Sequence, residues 1–161
     1  MPSRRLRRSF VQHIHASPEQ VFPLLCPERE KEWLPGWTAQ IVHSVSGLAE
    51  RGAVFHSPHE QGQTVWVVTE YDPPHRIAFA RWQPDGLVVH IEISLSPHHA
   101  GDTAVAICYD YTATNDAGRD ALSKLTPDAW LKSMSFWQES MNQWLAHPER
   151  TKSPAHTSNG R

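Results

Sequence analysis

A chain of 161 residues can enclose one hydrophobic core, and its 39% apolar and 20% charged content is ordinary for a soluble globular protein. Fifteen basic and seventeen acidic residues give a formal charge of −2, so no global positive field attracts nucleic acid or anionic lipid. Two isolated cysteines, Cys26 and Cys108, do not make a disulfide framework. With no signal peptide and no apolar run of about 18 residues, we expect a soluble cytoplasmic protein.

A local basic cluster occupies residues 4–8, where arginines stand at all positions except Leu6. One interpretation is an arm that binds phosphates. We favour a solvated N-terminus that leads into the first strand, because no aromatic or second basic stripe accompanies the cluster. The strand itself is predicted over residues 10–15, where apolar and polar residues alternate.

Two short helices are predicted next. Ser17 can cap the first helix, Pro18 suits its first turn and Gln20 stands where a capping box needs it. The second helix covers residues 28–33 and ends at the Leu-Pro-Gly of residues 34–36.

The middle of the chain is dominated by strand patterns. Six strands are predicted over residues 38–45, 53–56, 63–71, 76–82, 87–95 and 103–112. Short turns between them imply an antiparallel sheet with one apolar and one wet face. The apolar face of the last two strands carries Val89, Ile91, Ile93, Leu95, Val105, Ile107, Tyr109 and Tyr111.

The last periodic segment predicts one long amphipathic helix over residues 116–146. Its apolar residues recur at steps of three and four, so they form one face of the helix, and this face must pack on the sheet. The face consists of Leu122, Leu125, Ala129, Trp130, Ser133, Phe136, Trp137, Met141, Trp144 and Leu145. Residues 148–161 are rich in polar and helix-breaking residues and are predicted to be a disordered tail, so the domain covers residues 1–147.

These elements predict an α+β fold, in which a curved antiparallel sheet of about seven strands grips a long C-terminal helix beside two short helices. With the segments ASPEQVF at 16–22 and EYDPPHRI at 70–77, the arrangement resembles the START/Bet v 1-like superfamily, also called SRPBCC, and its helix-grip fold. Residues 24–27 and 33–37 are similar to a bacterial branch of it. The resemblance covers roughly residues 8–146. The superfamily includes polyketide cyclases, lipid and hormone carriers, and chaperone activators. The resemblance therefore implies one of these functions, and the fold alone does not say which.

Polar side chains offer few signs of chemistry. His56, His59 and Glu60 lie at a strand end and turn, without the helical spacing of a zinc site, and His98-His99 lies in a hairpin loop. We expect no metal and no cofactor. His90, Glu92 and Asp110 could form an acid–base group across paired strands, but we favour a polar patch on the wet face.

Arg81 has two possible orientations. If it points inward with the bulky apolar residues of its strand, the buried guanidinium needs Glu70, Glu92 or an anionic ligand as its partner. In that case Arg81 orients a carboxylate or phenolate. The other orientation buries Trp82 and leaves Arg81 in water.

Aromatic residues make the stronger case for an internal site. Trp33 and Trp37 flank a Pro-Gly turn, where they form either a lid or a structural clamp. Tyr109 and Tyr111 need hydrogen-bond partners, either Ser133 or a ligand. The candidate lining comprises Trp33, Trp37, Phe55, Phe79, Arg81, Ile91, Tyr109, Tyr111, Ser133, Trp137 and Met141.

No catalytic triad order, nucleophile elbow, phosphate loop or zinc spacing occurs, so catalytic residues remain unassigned. We favour a monomer or homodimer that binds a small apolar or aromatic, lipid- or polyketide-like ligand in a cavity between sheet and C-terminal helix. No nucleic-acid partner or membrane insertion is expected. One alternative is a cyclase- or dehydratase-like enzyme that uses Arg81, Tyr109 or His90. Another is a protein-interaction module with an exposed patch of Trp33 and Trp37.

Overall fold

The computed structural model describes residues 4–147. The predicted tail, residues 148–161, lies outside the described residues. The elements are β1 (Arg5–Ile14), α1 (Pro18–Val21), a 3₁₀ turn (Phe22–Leu25), α2 (Pro27–Trp33), β2 (Gln40–His43), β3 (Val54–His59), β4 (Gly62–Asp72), β5 (Arg76–Gln83), β6 (Leu87–Pro97), a 3₁₀ turn (His99–Gly101), β7 (Thr103–Ala113), α3 (Asp116–Ser123) and α4 (Pro127–Leu145). Within residues 4–147, no helix has both the length and the apolar character needed to cross a membrane.

All seven strands form one antiparallel sheet in the order β1-β7-β6-β5-β4-β3-β2. This confirms the predicted α+β helix-grip architecture. A bulge between Val68 and Glu70 shifts the register of β4 against β5, and such bulges bend a sheet. The first strand begins at Arg5 rather than at residue 10, because it pairs with β7 along its whole length. Most of the N-terminal basic cluster therefore belongs to a strand.

The inner face of the sheet carries the core. Val89 and Ile91 of β6 and Val105 and Ile107 of β7 are at most 1% exposed, as the alternation predicted. Side chains of α4 cover this face, and Met141 is completely buried there. The predicted apolar face of the last two strands is therefore the face that meets the helix.

The prediction of a single helix over residues 116–146 is wrong. The structure has two helices, α3 and α4, separated by residues 124–126. Thr126 is extended and its hydroxyl accepts the Ala129 N–H at 3.1 Å, which caps α4, while Pro127 occupies the first turn. A proline has no N–H to continue α3 and disfavours helical geometry in the residue before it.

The orientation predicted for part of the last helix is also wrong. Met134, Trp137, Ser140, Met141 and Trp144 are its buried residues. Ser133, predicted to line the site, is exposed, and Phe136 is 49% exposed. Phe136 lies one position from Trp137, a rotation of roughly 100° around the helix, whereas Ser133 lies four positions before Trp137, on the same side, and is nevertheless exposed.

Two glycines fix α3 against the turn between β5 and β6. Asn115 caps the helix by accepting the Gly118 N–H at 2.8 Å. A Cβ atom on Gly118 would lie 2.2 Å from the Gly86 carbonyl oxygen. Gly86 has a φ of +94°, and a Cβ there would lie 2.1 Å from Asn115 Oδ1. The close approach of the two backbones therefore requires both residues to lack side chains.

Candidate functional site

The inner side of β3, β4 and β5 carries an aromatic cluster. The ring centroid of Trp66 lies 5.2 Å from that of Phe55 and 5.9 Å from that of Phe79. The Trp66 indole N–H donates to the Ser57 hydroxyl at 3.0 Å. Trp37, in the connection between α2 and β2, meets Trp66 edge to face at 5.8 Å. We call Trp37, Phe55, Trp66 and Phe79 the aromatic wall.

The helices contribute a second aromatic pair to the interior. Trp33, at the end of α2, stacks against Trp137 of α4 with 6.2 Å between ring centroids. The Trp33 indole donates to the Leu24 carbonyl at 2.8 Å, and Trp37 donates to that of Pro27 at 3.0 Å. Trp33 is only 4% exposed. It therefore provides no exposed patch of the kind that the interaction-module alternative requires.

Arg81 points into the interior from β5. Its neighbour Trp82 takes the opposite direction and is 48% exposed. The Arg81 guanidinium carbon lies 4.9 Å from the Trp66 ring centroid and 5.5 Å from that of Tyr109. Its Nε atom is buried and has no hydrogen-bond partner in the described part of the chain.

The expected protein partners of Arg81 bind a different arginine. Glu70 and Glu92 both bind Arg76, with Nε 2.9 Å from a Glu70 oxygen. Arg76 is five positions from Arg81 on the same strand, so the two side chains lie on opposite faces of the sheet. Within residues 4–147, no carboxylate forms an ion pair with Arg81.

Two phenols accompany Arg81. Burial raises the pKa of Tyr109 and of Tyr111, and the positive charge of Arg81 offsets only part of each rise. Both hydroxyls therefore stay protonated near neutral pH and can donate hydrogen bonds. The Tyr109 ring is held from the helix side by Trp130, whose centroid lies 5.0 Å away.

Glu30 is an interior acid that our sequence reasoning missed. It lies on α2 three positions before Trp33, so both side chains project from one side of the helix. Burial raises the pKa of the Glu30 carboxyl well above its ordinary value of 4.5. The spacing from Trp33 is the signal that could have found it.

Replacing Glu30 with glutamine should make the protein less sensitive to rising pH. Above pH 4.5 the unfolded chain releases the Glu30 proton while the folded protein keeps it. The folded state then binds more protons, so the free energy of unfolding falls as pH rises, until the folded-state pKa is passed. Glu30→Gln removes this loss. The free energy of unfolding of the variant minus that of wild type, measured in urea, should therefore increase as the pH rises from about 5 to 8.

The control for this experiment is Glu32→Gln. Glu32 is exposed on the same helix and binds Arg29 at 2.7 Å. This variant should follow the wild-type pH dependence. Parallel curves for wild type and Glu30→Gln would show that the Glu30 carboxyl is not protonated in the folded protein.

Arg8 is a second interior cation that was missed. It alternates with Phe10 and Ile14 on the inward side of β1, and this alternation was the available signal. Its Nη2 donates to the Leu125 carbonyl at 2.7 Å, while its Nε is buried without a partner among the described residues. The interior therefore holds two arginines.

His90, Glu92 and Asp110 come together on the outer face of the sheet. Their ligand atoms lie within 4.8 Å of one another. Arg7 binds both Asp110 oxygens, at 2.7 and 3.0 Å, and lowers the pKa of that carboxyl, while Arg76 binds Glu92. The group is a charge-paired surface network on the wet face, as we favoured, and His90 does not reach the interior.

The structure brings most of the predicted lining together. Buried or half-buried members are Trp33, Trp37, Phe55, Phe79, Arg81, Ile91, Tyr109, Tyr111, Trp137 and Met141. Ser133 is the exception and points outward. It is exposed, and no hydrogen bond joins it to Tyr109 or Tyr111 among the described residues.

Known structures share this fold. A Rhodobacter sphaeroides protein, 23% identical, superposes with a TM-score of 0.64 over 87% of this chain and 91% of its own. Norcoclaurine synthase from Thalictrum flavum, 11% identical, superposes with a TM-score of 0.63 over 88% of this chain and 87% of its own. Ara h 8.0201, also 11% identical, superposes with a TM-score of 0.61 over 92% of this chain and 99% of its own.

These likenesses establish the fold alone. No curated protein is significantly similar to this sequence. Residues 5–136 match the model of a family described as polyketide cyclase / dehydrase and lipid transport. The chain belongs to this polyketide cyclase / dehydrase and lipid transport family, within the START/Bet v 1-like superfamily that its sequence resembles.

Proposed function

We propose that the protein binds a small apolar or aromatic molecule, lipid- or polyketide-like, between the sheet and α4. One observation carries this proposal. Three buried donors, Arg8 Nε, Arg81 Nε and Trp137 Nε1, have no partner in the described part of the chain. More than about 90% of buried polar groups in proteins are paired. Donors left unpaired beside an aromatic wall are what a site lacking its ligand would present.

A second observation agrees with a site that a small molecule can reach. Tyr109 and Glu30 carry polar groups beside the interior, and each side chain is half-buried rather than buried. The family description, which names both lipid transport and polyketide chemistry, agrees with a site for a largely apolar molecule.

Native mass spectrometry of the purified chain, after incubation with mixed fatty acids and flat aromatic compounds, tests the proposal. We expect a retained ligand and a higher melting temperature. Trp137→Phe, which removes one unpaired donor, should alter retention, whereas Trp82→Phe on the outer face should not. Absence of retention and thermal shift with every compound would overturn the proposal.

An enzymatic alternative would use the same space. Glu30 favours it, because burial raises the pKa of its carboxyl, and a carboxyl with a raised pKa near a phenol can act as a general acid. In that case, turnover of a polyketide-like compound should be lost in Glu30→Gln while binding persists. Binding without turnover by wild type would leave only the carrier function.

We also propose Trp37 as a lid residue, since it is half-buried and covers Trp66 from a connecting segment.

A reducing cytoplasm is the proposed location, where Cys26 and Cys108 remain free thiols. A monomer or homodimer is proposed as well. Light scattering on the eluting protein would show a larger assembly if this were wrong.

A further inference from the structure

We infer that the ligand of the interior site is a planar aromatic anion, a carboxylate or phenolate, whose charged oxygens bind the edge of Arg81. This inference rests on the proposed function and specifies the class of molecule bound. Its starting point is the missing counter-ion of Arg81, an arginine held inside the sheet without a carboxylate partner among residues 4–147.

The groups around Arg81 leave its Nε–H without a partner among the described residues. Trp66 and Tyr109 lie 4.9 and 5.5 Å from its guanidinium carbon and hold it by cation–π contacts. These contacts supply no formal negative charge, and neither do the neutral Tyr109 and Tyr111 hydroxyls, whose pKa Arg81 lowers in part through side-chain hydrogen bonding. Its Nε–H lies in the plane of the group and remains unpaired. That edge, with Nε and one Nη, is the fork that binds two carboxylate oxygens side by side.

The titratable groups around this edge do not provide the missing charge. Burial raises the pKa of the Tyr109 and Tyr111 phenols and of the Glu30 carboxyl, and so opposes a negative charge on each of them. Arg8 adds a second positive charge from β1. The described interior therefore has an excess of positive charge and several hydrogen-bond donors, which is the complement of an anion.

The walls of the site select the remainder of the ligand. The aromatic wall begins at Trp66, the same ring that holds Arg81, and continues to Phe55 and Phe79. A flat ring attached directly to the anionic group would lie against these side chains when its oxygens reach Arg81. The combination favours an aromatic carboxylate or phenolate over a neutral lipid.

The first test compares 2-naphthoate with its neutral methyl ester by calorimetry on the full chain. Because a charge-assisted hydrogen bond is roughly twice as strong as a neutral one, we expect the acid to bind about 10- to 100-fold more tightly. Arg81→Met should remove this preference by weakening the acid alone. Arg81→Lys should restore only part of it, since an ammonium lacks the planar fork. Arg76→Met, on the outer face of the same strand, is the matched control and should bind like wild type.

The second test uses 4-nitrophenol, whose absorbance reports its ionisation. The Arg81 charge should lower the pKa of the bound phenol, and Arg81→Met should raise it above that of the free compound, because burial disfavours the phenolate. Melting temperatures show whether each variant is folded. If Arg81→Met does not fold, Arg81→Gln takes its place in both tests. Equal binding of acid and ester, unchanged in Arg81→Met, would overturn the anion inference and leave the binding function intact. If neither naphthyl compound binds and the mixed-ligand experiment is also negative, both proposals fail.

Discussion

Replacing Trp137 with alanine is expected to lower the free energy of unfolding by about 3–5 kcal/mol, the usual cost of truncating a buried aromatic residue. Trp137 is 8% exposed and stacks on Trp33 at 6.2 Å, so its removal opens a void between α2 and α4. Domains of this size are stable by roughly 5–15 kcal/mol, so the variant should be close to unfolding. Urea unfolding followed by fluorescence measures the loss.

Two further variants define what Trp137 contributes. Trp82→Ala removes an indole that is 48% exposed on the outer face and should cost under about 1 kcal/mol. Trp137→Phe keeps most of the buried ring and breaks no hydrogen bond within the described residues, since Nε1 has no partner there. It should cost far less than alanine. Equal losses for Trp137→Ala and Trp82→Ala would contradict the assignment of Trp137 to the core.

Replacing Gly118 with alanine should destabilise the protein by about 1–3 kcal/mol, the usual cost of overpacking. In an ordinary helix the same change would stabilise by about 1 kcal/mol, because alanine is the better helix former. Here the added Cβ would lie 2.2 Å from the Gly86 carbonyl oxygen, a backbone atom that cannot rotate away. Thermal and urea unfolding of Gly118→Ala show directly whether the substitution raises or lowers the stability of the protein.

Ala117→Gly is the matched control, at the exposed neighbouring position of α3. It should cost about 0.5–1 kcal/mol through helix propensity alone. If Gly118→Ala instead raised the melting temperature, the close backbone contact between α3 and the β5–β6 turn would not exist in solution.

The sheet was largely predictable from the sequence. Strand alternation has a period of two residues wherever the partner strand lies, so the inward positions of β6 and β7 could be identified before their pairing was known. Ser17 and Gln20 form the capping box that their spacing indicated. The break before α4 was missed because apolar periodicity continued across it, although Thr126 and Pro127 are a standard helix start.

The candidate site was less predictable, for reasons specific to its residues. The direction of Arg81 was ambiguous because Trp82, the adjacent residue, is also bulky and apolar. The pairing of β5 with its two neighbours settles this, and it depends on distant residues. Glu30 was missed because the residues beside it, Arg29 and Lys31, are also charged, so polarity does not mark an inward side of α2 there. Ser133 has the spacing of the buried side of α4 but is exposed, which periodicity alone does not reveal.

The position of β1 has a consequence for how the chain is made. This strand lies at one edge of the sheet and hydrogen-bonds to β7, so Arg7 and its partner Asp110 are 103 positions apart. During translation β1 leaves the ribosome before the other described strands and cannot pair with its neighbour until β7 has emerged. Closing so long a loop is entropically costly and slows folding. Among the described strands, β1 is therefore the one that waits longest for its partner.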